Sequence, residues 1–169
     1  MIVDLFWIIS FPLAFAFHDG EEIVVQHKWM LTHKDYLIQK YPRARRIIMH
    51  LSGLSTKVFA MAVLEELILL FFATAYILIG GAYATELWIA LFMAFSLHFV
   101  VHIAQGVIVR GYVPGLVTSI LMLPYACFGI SRICEDVSGI KQIQLSVLGV
   151  VAMMINLRFA HWIGKKFSH

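Results

Sequence analysis

Hydrophobic residues run through this chain in five long stretches, residues 2–25, 57–79, 86–109, 113–133 and 140–163. Each approaches the roughly 20 residues that a helix needs to cross a bilayer. The pattern predicts an all-α membrane bundle of five transmembrane helices, a single integral membrane domain over residues 1–169. Gly80-Gly81 and Ser138-Gly139 mark short turns. Pro114 suits the first turn of the fourth helix, where its missing N–H would be unpaired anyway, and Pro124 should kink the same helix further on. The one long break, residues 28–56, mixes Trp29, Tyr36 and Tyr41 with Lys34, Lys40, Arg43, Arg45 and Arg46. That is the composition of a basic interfacial helical segment on an anionic membrane face, with Pro42 dividing it into two short helices.

Composition agrees with the pattern. The chain is 61% apolar and 14% charged, against roughly 25% charge in an ordinary soluble domain. The net charge of +3 matters less than its placement. Seven of the thirteen Lys and Arg fall between Lys28 and Lys57; Arg110, Arg158, Lys165 and Lys166 fall at sites that alternate onto the same side. Arg132 and Lys141 lie opposite, beside Asp4, Glu86, Glu135 and Asp136. The positive-inside rule then puts the N-terminus outside and the C-terminus in the cytoplasm, most simply in a bacterial plasma membrane. The first stretch lacks a basic start and a small-residue cleavage site, so it reads as a retained helix. Cys127 and Cys134, seven apart on one helix, are about 10 Å apart in rise and read as packing thiols. No feature points to nucleic acid.

Polar residues inside the apolar stretches change the picture most. His18, Asp19, Glu21 and Glu22 crowd into five positions, where ionisable groups are costly without a task. His18, Glu21 and Glu22 stand at i, i+3 and i+4, roughly one side of a helix. Glu65 and Glu66 interrupt the second stretch; His98 and His102, again i and i+4, interrupt the third; Asn156 and Arg158 interrupt the fifth. Counting about 1.5 Å per residue from each basic end puts all of these roughly 9–18 Å deep, at one level. The simplest account is a single intramembrane site. Its donors, four carboxylates and three imidazoles without thiolate, suit zinc ahead of iron or manganese. Buried carboxylates need compensation, which protons, Arg158 or divalent cations can supply. Glu65 and Glu66 paired to Arg158 or Lys57, and Asn156 as interhelical glue, are the plainer readings of those residues.

The motif His18-Asp19-Gly20-Glu21-Glu22 resembles the signature of the bacterial HXXEE family of membrane proteins. Glu65-Glu66, the block from His98 to Gln105 and the block from Arg110 to Thr118 resemble its other recurrent segments. The family is functionally uncharacterised, so the resemblance groups the chain without assigning chemistry. It directs attention to His18, Glu21, Glu22, Glu65, Glu66, His98 and His102.

The leading expectation is a metal-dependent membrane enzyme acting on a lipid-like or small hydrophobic substrate. His18, Glu22, Glu65, His98 and His102 are the expected metal ligands, with Glu21 and Glu66 as catalytic carboxylates. Arg110 and Thr118, at the start of the fourth predicted helix, are placed to hold an anionic head group. Hydrolysis is favoured over di-iron oxidation because no route for electrons is visible. The alternatives are a proton-coupled small transporter, a haem protein ligated by His18 and His98 or His102, and a structural membrane subunit. The lipid bilayer is the expected partner, an anionic lipid a candidate substrate, and an oligomer is compatible with the sequence.

Overall fold

The computed structural model describes residues 4–167. The start of the first predicted stretch, at Ile2, and His169 in the tail lie outside the described residues. Six α-helices account for nearly all of the described chain: α1 (Leu5–Lys40), α2 (Arg45–Ser52), α3 (Thr56–Leu78), α4 (Ala84–Val109), α5 (Leu116–Asp136) and α6 (Gly139–Phe167). A 3-10 turn at Pro42–Ala44 joins α1 to α2.

Four of these helices, not five, are long and apolar enough to cross a membrane: α3, α4, α5 and α6. That length and composition identify an integral membrane protein. The expected first span is corrected by α1, in which Asp19, Glu21 and Glu22 break the apolar run. Nor does α1 stop near Val25. Residues 26–40 contain no proline or glycine, so the helix continues until Pro42 disfavours helical geometry at Tyr41, whose φ is −128° and ψ 66°. At 36 residues α1 is about 54 Å long, well beyond the roughly 30 Å of a hydrocarbon core. Pro42 therefore divides the basic segment, but its first half is the end of α1 and only α2 is a separate short helix. The α5 helix runs on through Pro124. Cys127 and Cys134 are exposed, not packed.

Side-chain pairs give the direction of every helix. Trp7 meets Phe92, His18 meets Phe99, and Tyr41 Oη donates to the Ile108 carbonyl at 2.8 Å, so α1 and α4 run parallel. Ser10 pairs with Tyr125 at 3.0 Å and His18 with Thr118 at 2.9 Å, so α5 runs against α1. Lys141 reaches Glu86 at 2.8 Å while Asn156 reaches Glu65 at 3.2 Å; α6 is thus parallel to α4 and antiparallel to α3. Asp4, Glu86, Arg132, Glu135 and Lys141 gather at one end in exposed ion pairs of small energetic weight. At the other end His27 bonds the Leu54 carbonyl and His50 bonds His161. That is the end with most of the lysines and arginines.

Without a hydrophobic drive between helices in lipid, small residues that admit close backbone approach carry the packing. Gly149 lets α6 meet α4 directly: a Cβ there would fall 2.0 Å from the Ala90 carbonyl oxygen. Gly149→Ala is therefore expected to destabilise the bundle by about 1–3 kcal/mol, as overpacking does. Thermal unfolding in detergent, compared with alanine at the open Gly139, checks it. Toward the end opposite the basic one, Ile8, Trp88, Phe92, Phe99 and Ile133 form a closely buried core.

Candidate metal centre

Two helices bring four donors together just above that aromatic core, and a third holds one of them in place. His18 and Glu22 come from successive turns of α1, His98 and His102 from successive turns of α4. Spacing of four residues puts each pair on one face. One ligand atom from each of the four lies within 4.8 Å of every other. His102 Nε2 stands 2.9 Å from His98 Nε2 and 3.2 Å from a Glu22 carboxylate oxygen; His98 Nε2 stands 4.0 Å from the other oxygen. His18 is fully buried, His102 6% exposed and Glu22 8% exposed. Phe95 and Phe99 pack edge-on against the His18 ring, with centroids 5.8 and 5.0 Å away.

The third helix, α5, sets the tautomer of His18. Thr118 Oγ1 lies 2.6 Å from Glu21 Oε2 and 2.9 Å from His18 Nδ1. An ionised carboxylate only accepts, so the threonine hydroxyl donates its single proton to Glu21. The same oxygen then accepts from His18 Nδ1–H. Neutral imidazole carries one proton, so His18 Nε2 is left with a bare lone pair. That nitrogen is buried and has no partner among the described residues. Glu21 is itself held by the Thr118 backbone N–H and by Tyr112 Oη, both at 2.7 Å. Burial, then the bond to Glu21, pushes the Tyr112 phenol pKa up, so it stays a donor. The chain carboxylate–hydroxyl–imidazole is of the kind that orients metal-binding histidines.

Gly115 lets α5 begin this close. Its φ of +78° is in the left-handed region, and a Cβ there would fall 2.9 Å from the His102 ring and 3.1 Å from Glu22 Oε1. Both demands select glycine. Thr118→Val should free His18 to take either tautomer and leave Glu21 without its hydroxyl donor. We expect metal affinity to fall about 10–100-fold, the range for outer-shell changes. Titration of the apo protein against a competing chelator measures it.

The remaining candidates are distributed more widely. Glu66 faces the same interior as Asp19 and Glu22 and is their electrostatic neighbour. Glu65, one residue earlier, is turned to Asn156 and stands outside the four-donor group. Glu21 also stands outside it, with both oxygens engaged by α5 and Tyr112. Thr118 is buried under Glu21 and His18, while Arg110 is exposed at the left-handed end of α4 (φ +60°). Arg158 and Lys57 are exposed and leave the interior acids to other compensation. Asp19 joins this interior: it is 5% exposed, with Oδ1 unpartnered among the described residues. Its place inside the HXXEE motif was the available signal.

A cavity of about 840 Å³ opens beside these groups. It reaches from Phe11, Leu87 and Leu91 at the deep end, past Asp19, Glu22, Glu66, His98 and His102, to α2 and His161 at the basic end. Its walls are mostly apolar, with the acids and imidazoles as one polar belt. The donor set fits a metal ion on three counts: an unpartnered buried lone pair on His18, two imidazole nitrogens facing each other at 2.9 Å, and an adjacent carboxylate. Three nitrogens and one oxygen fit zinc and also other borderline divalent ions, so they fix no single metal.

The family described as a protein of unknown function with HXXEE motif matches residues 9–129, more than half of the chain. No curated protein and no solved structure matches.

Proposed function

The chain belongs to the HXXEE family, and we propose that it is a membrane-embedded, metal-dependent hydrolase acting on a lipid-like substrate held in the interior cavity. The observation that carries the reading is the convergence of His18, Glu22, His98 and His102 on one point. His18, His98 and His102 would hold the ion and leave a fourth position for water, with Glu22 beside it. Zinc is favoured over iron or manganese. A bound divalent ion supplies Lewis acidity and lowers the pKa of a coordinated water toward about 7. Glu66, which lines the same cavity, would take up a proton and return it to a leaving group. Glu21 acts at a remove by holding Thr118 and hence His18, so it is a positioning residue. The apolar walls orient the substrate's chain and keep water from the belt.

Two features favour hydrolysis over di-iron oxidation. Glu65 is committed to Asn156 rather than to the centre, and the four-donor group is rich in imidazole rather than in the bridging carboxylates of helical two-iron sites. Donors drawn to one point also suit a bare ion better than a haem. A proton-coupled carrier is the second reading, favoured by Asp19, Glu22 and Glu66 lining one cavity. Orientation follows from charge placement: the basic end, with α2 at the interface, faces the cytoplasm, in a bacterial plasma membrane.

Elemental analysis of the purified full chain tests the proposal. The expected result is about one divalent ion per chain, with esterase activity on long-chain substrates lost on chelation and restored by the metal. Activity that survives complete metal removal would sink it.

A further inference from the structure

The polar belt leaves one cavity-lining group unexplained. His161 of α6 is 6% exposed, lines the basic end of the cavity, and has a buried Nε2 without a partner among the described residues. Its Nδ1 lies 3.3 Å from Nε2 of His50, which is exposed on α2. We propose that this end of the cavity binds the anionic head group of a single-chain amphiphile, with His161 Nε2–H as donor and His50 as the residue that sets its tautomer. The inference rests on the hydrolase reading and names its substrate class.

Charge at the pair selects the sign of the ligand. Lys165 and Arg158 are electrostatic neighbours of His50, and Lys165 of His161. Two imidazoles beside two cations repel a metal ion and attract an anion. When His50 Nε2–H donates to His161 Nδ1, the neutral His161 ring carries its proton on the buried Nε2. A buried donor without an acceptor is costly, and an incoming phosphate or carboxylate oxygen relieves that cost.

Spacing along the cavity selects the rest of the ligand. Asn156, which bonds Glu65 at the belt, is five residues from His161, about 7.5 Å along α6. On the other side of the belt, Asp19 to Phe11 spans about 12 Å of α1, with Phe15 and Phe11 lining the cavity there. The order is anion site, reactive belt, apolar pocket. An amphiphile seated with its head on His161 therefore passes a bond a few atoms below the head across the belt. A volume of about 840 Å³ falls within the roughly 300–1,000 Å³ of sites that take one small ligand, so one chain is accommodated rather than a two-chain phospholipid.

Calorimetry on the full chain in phosphatidylcholine nanodiscs tests this, with dodecyl phosphate, dodecanol and inorganic phosphate as probes. Dodecyl phosphate is expected to bind at least about tenfold tighter than dodecanol, the effect of one charge-assisted hydrogen bond. His161→Phe should erase that preference and His50→Ala, a change at an exposed site, should reduce it. His102→Ala should leave it intact. Equal affinity for dodecanol overturns the proposal, as does a preference that survives both His161→Phe and His50→Ala. Inorganic phosphate binding as tightly as dodecyl phosphate also overturns it, by showing a site for free anions. If the preference disappears in His102→Ala but not in His161→Phe, the phosphate sits on the metal centre; the proposal then fails while the hydrolase reading stands. A wild-type protein that keeps the preference but takes up no divalent ion sinks the hydrolase reading alone.

Discussion

Replacing His102 by alanine is expected to strip the protein of its metal. The side chain is 6% exposed and its Nε2 is the donor nearest to both His98 and Glu22, at 2.9 and 3.2 Å. Its loss takes one of three imidazoles and leaves His98 and Glu22 facing an apolar gap. An outer-shell change costs about 10–100-fold in affinity, and removing a ligand outright should cost more than the upper end of that range. His18→Ala should behave alike, since its free Nε2 is fixed toward the same point by Thr118. His33→Ala is the control: that ring bonds the Trp29 carbonyl and stacks on Trp29, away from the site. Elemental analysis and chelator competition on the three variants read the result. The centre is misassigned if His102→Ala keeps stoichiometric metal at unchanged affinity, or if His33→Ala loses it.

Much of this site was legible before any coordinates. The apolar runs mark the four spans and add the start of α1 as a fifth, and depth counting puts His18, Glu22, His98, His102, Glu66 and Asn156 at one level because helical rise is nearly constant. Periodicity could not tell that α1 continues to Lys40. Residues 26–40 are polar and basic, as a surface segment would be, and only the absence of a breaker before Pro42 spoke for helix. Treating His18, Glu21 and Glu22 as one face was too coarse. Adjacent residues differ by about 100°, and that angle sends Glu22 to α4 and Glu21 to α5. The Tyr112–Glu21–Thr118–His18 chain joins residues about a hundred positions apart, so no local pattern encodes it. The paired glycine and proline ahead of α5 hinted only at a tight helix start. That Gly115 clears room for His102 emerges from packing alone.

The pair Glu65-Glu66 offers the sharpest separation of chemistry from charge. The two carboxylates are neighbours in sequence and equal in kind, and Asn156 bonds both, yet only Glu66 lines the cavity beside Asp19 and Glu22. A proton-transfer role requires access to the substrate, and only Glu66 has it. Glu66→Gln keeps the shape and removes the base, so turnover should fall by about 10²–10⁴, the usual contribution of a general acid–base. Metal content should not change, because Glu66 is not among the four donors. Glu65→Gln retains an acceptor for Asn156 and should lose little of either. Turnover of a long-chain ester by the two variants, with metal measured on the same samples, decides the roles. Full turnover in Glu66→Gln would remove it from the mechanism. If instead the variant has lost proton flux in proteoliposomes and the wild type hydrolyses nothing, the acids lining the cavity serve transport, since a relay needs the same buried carboxylate but no bond to break.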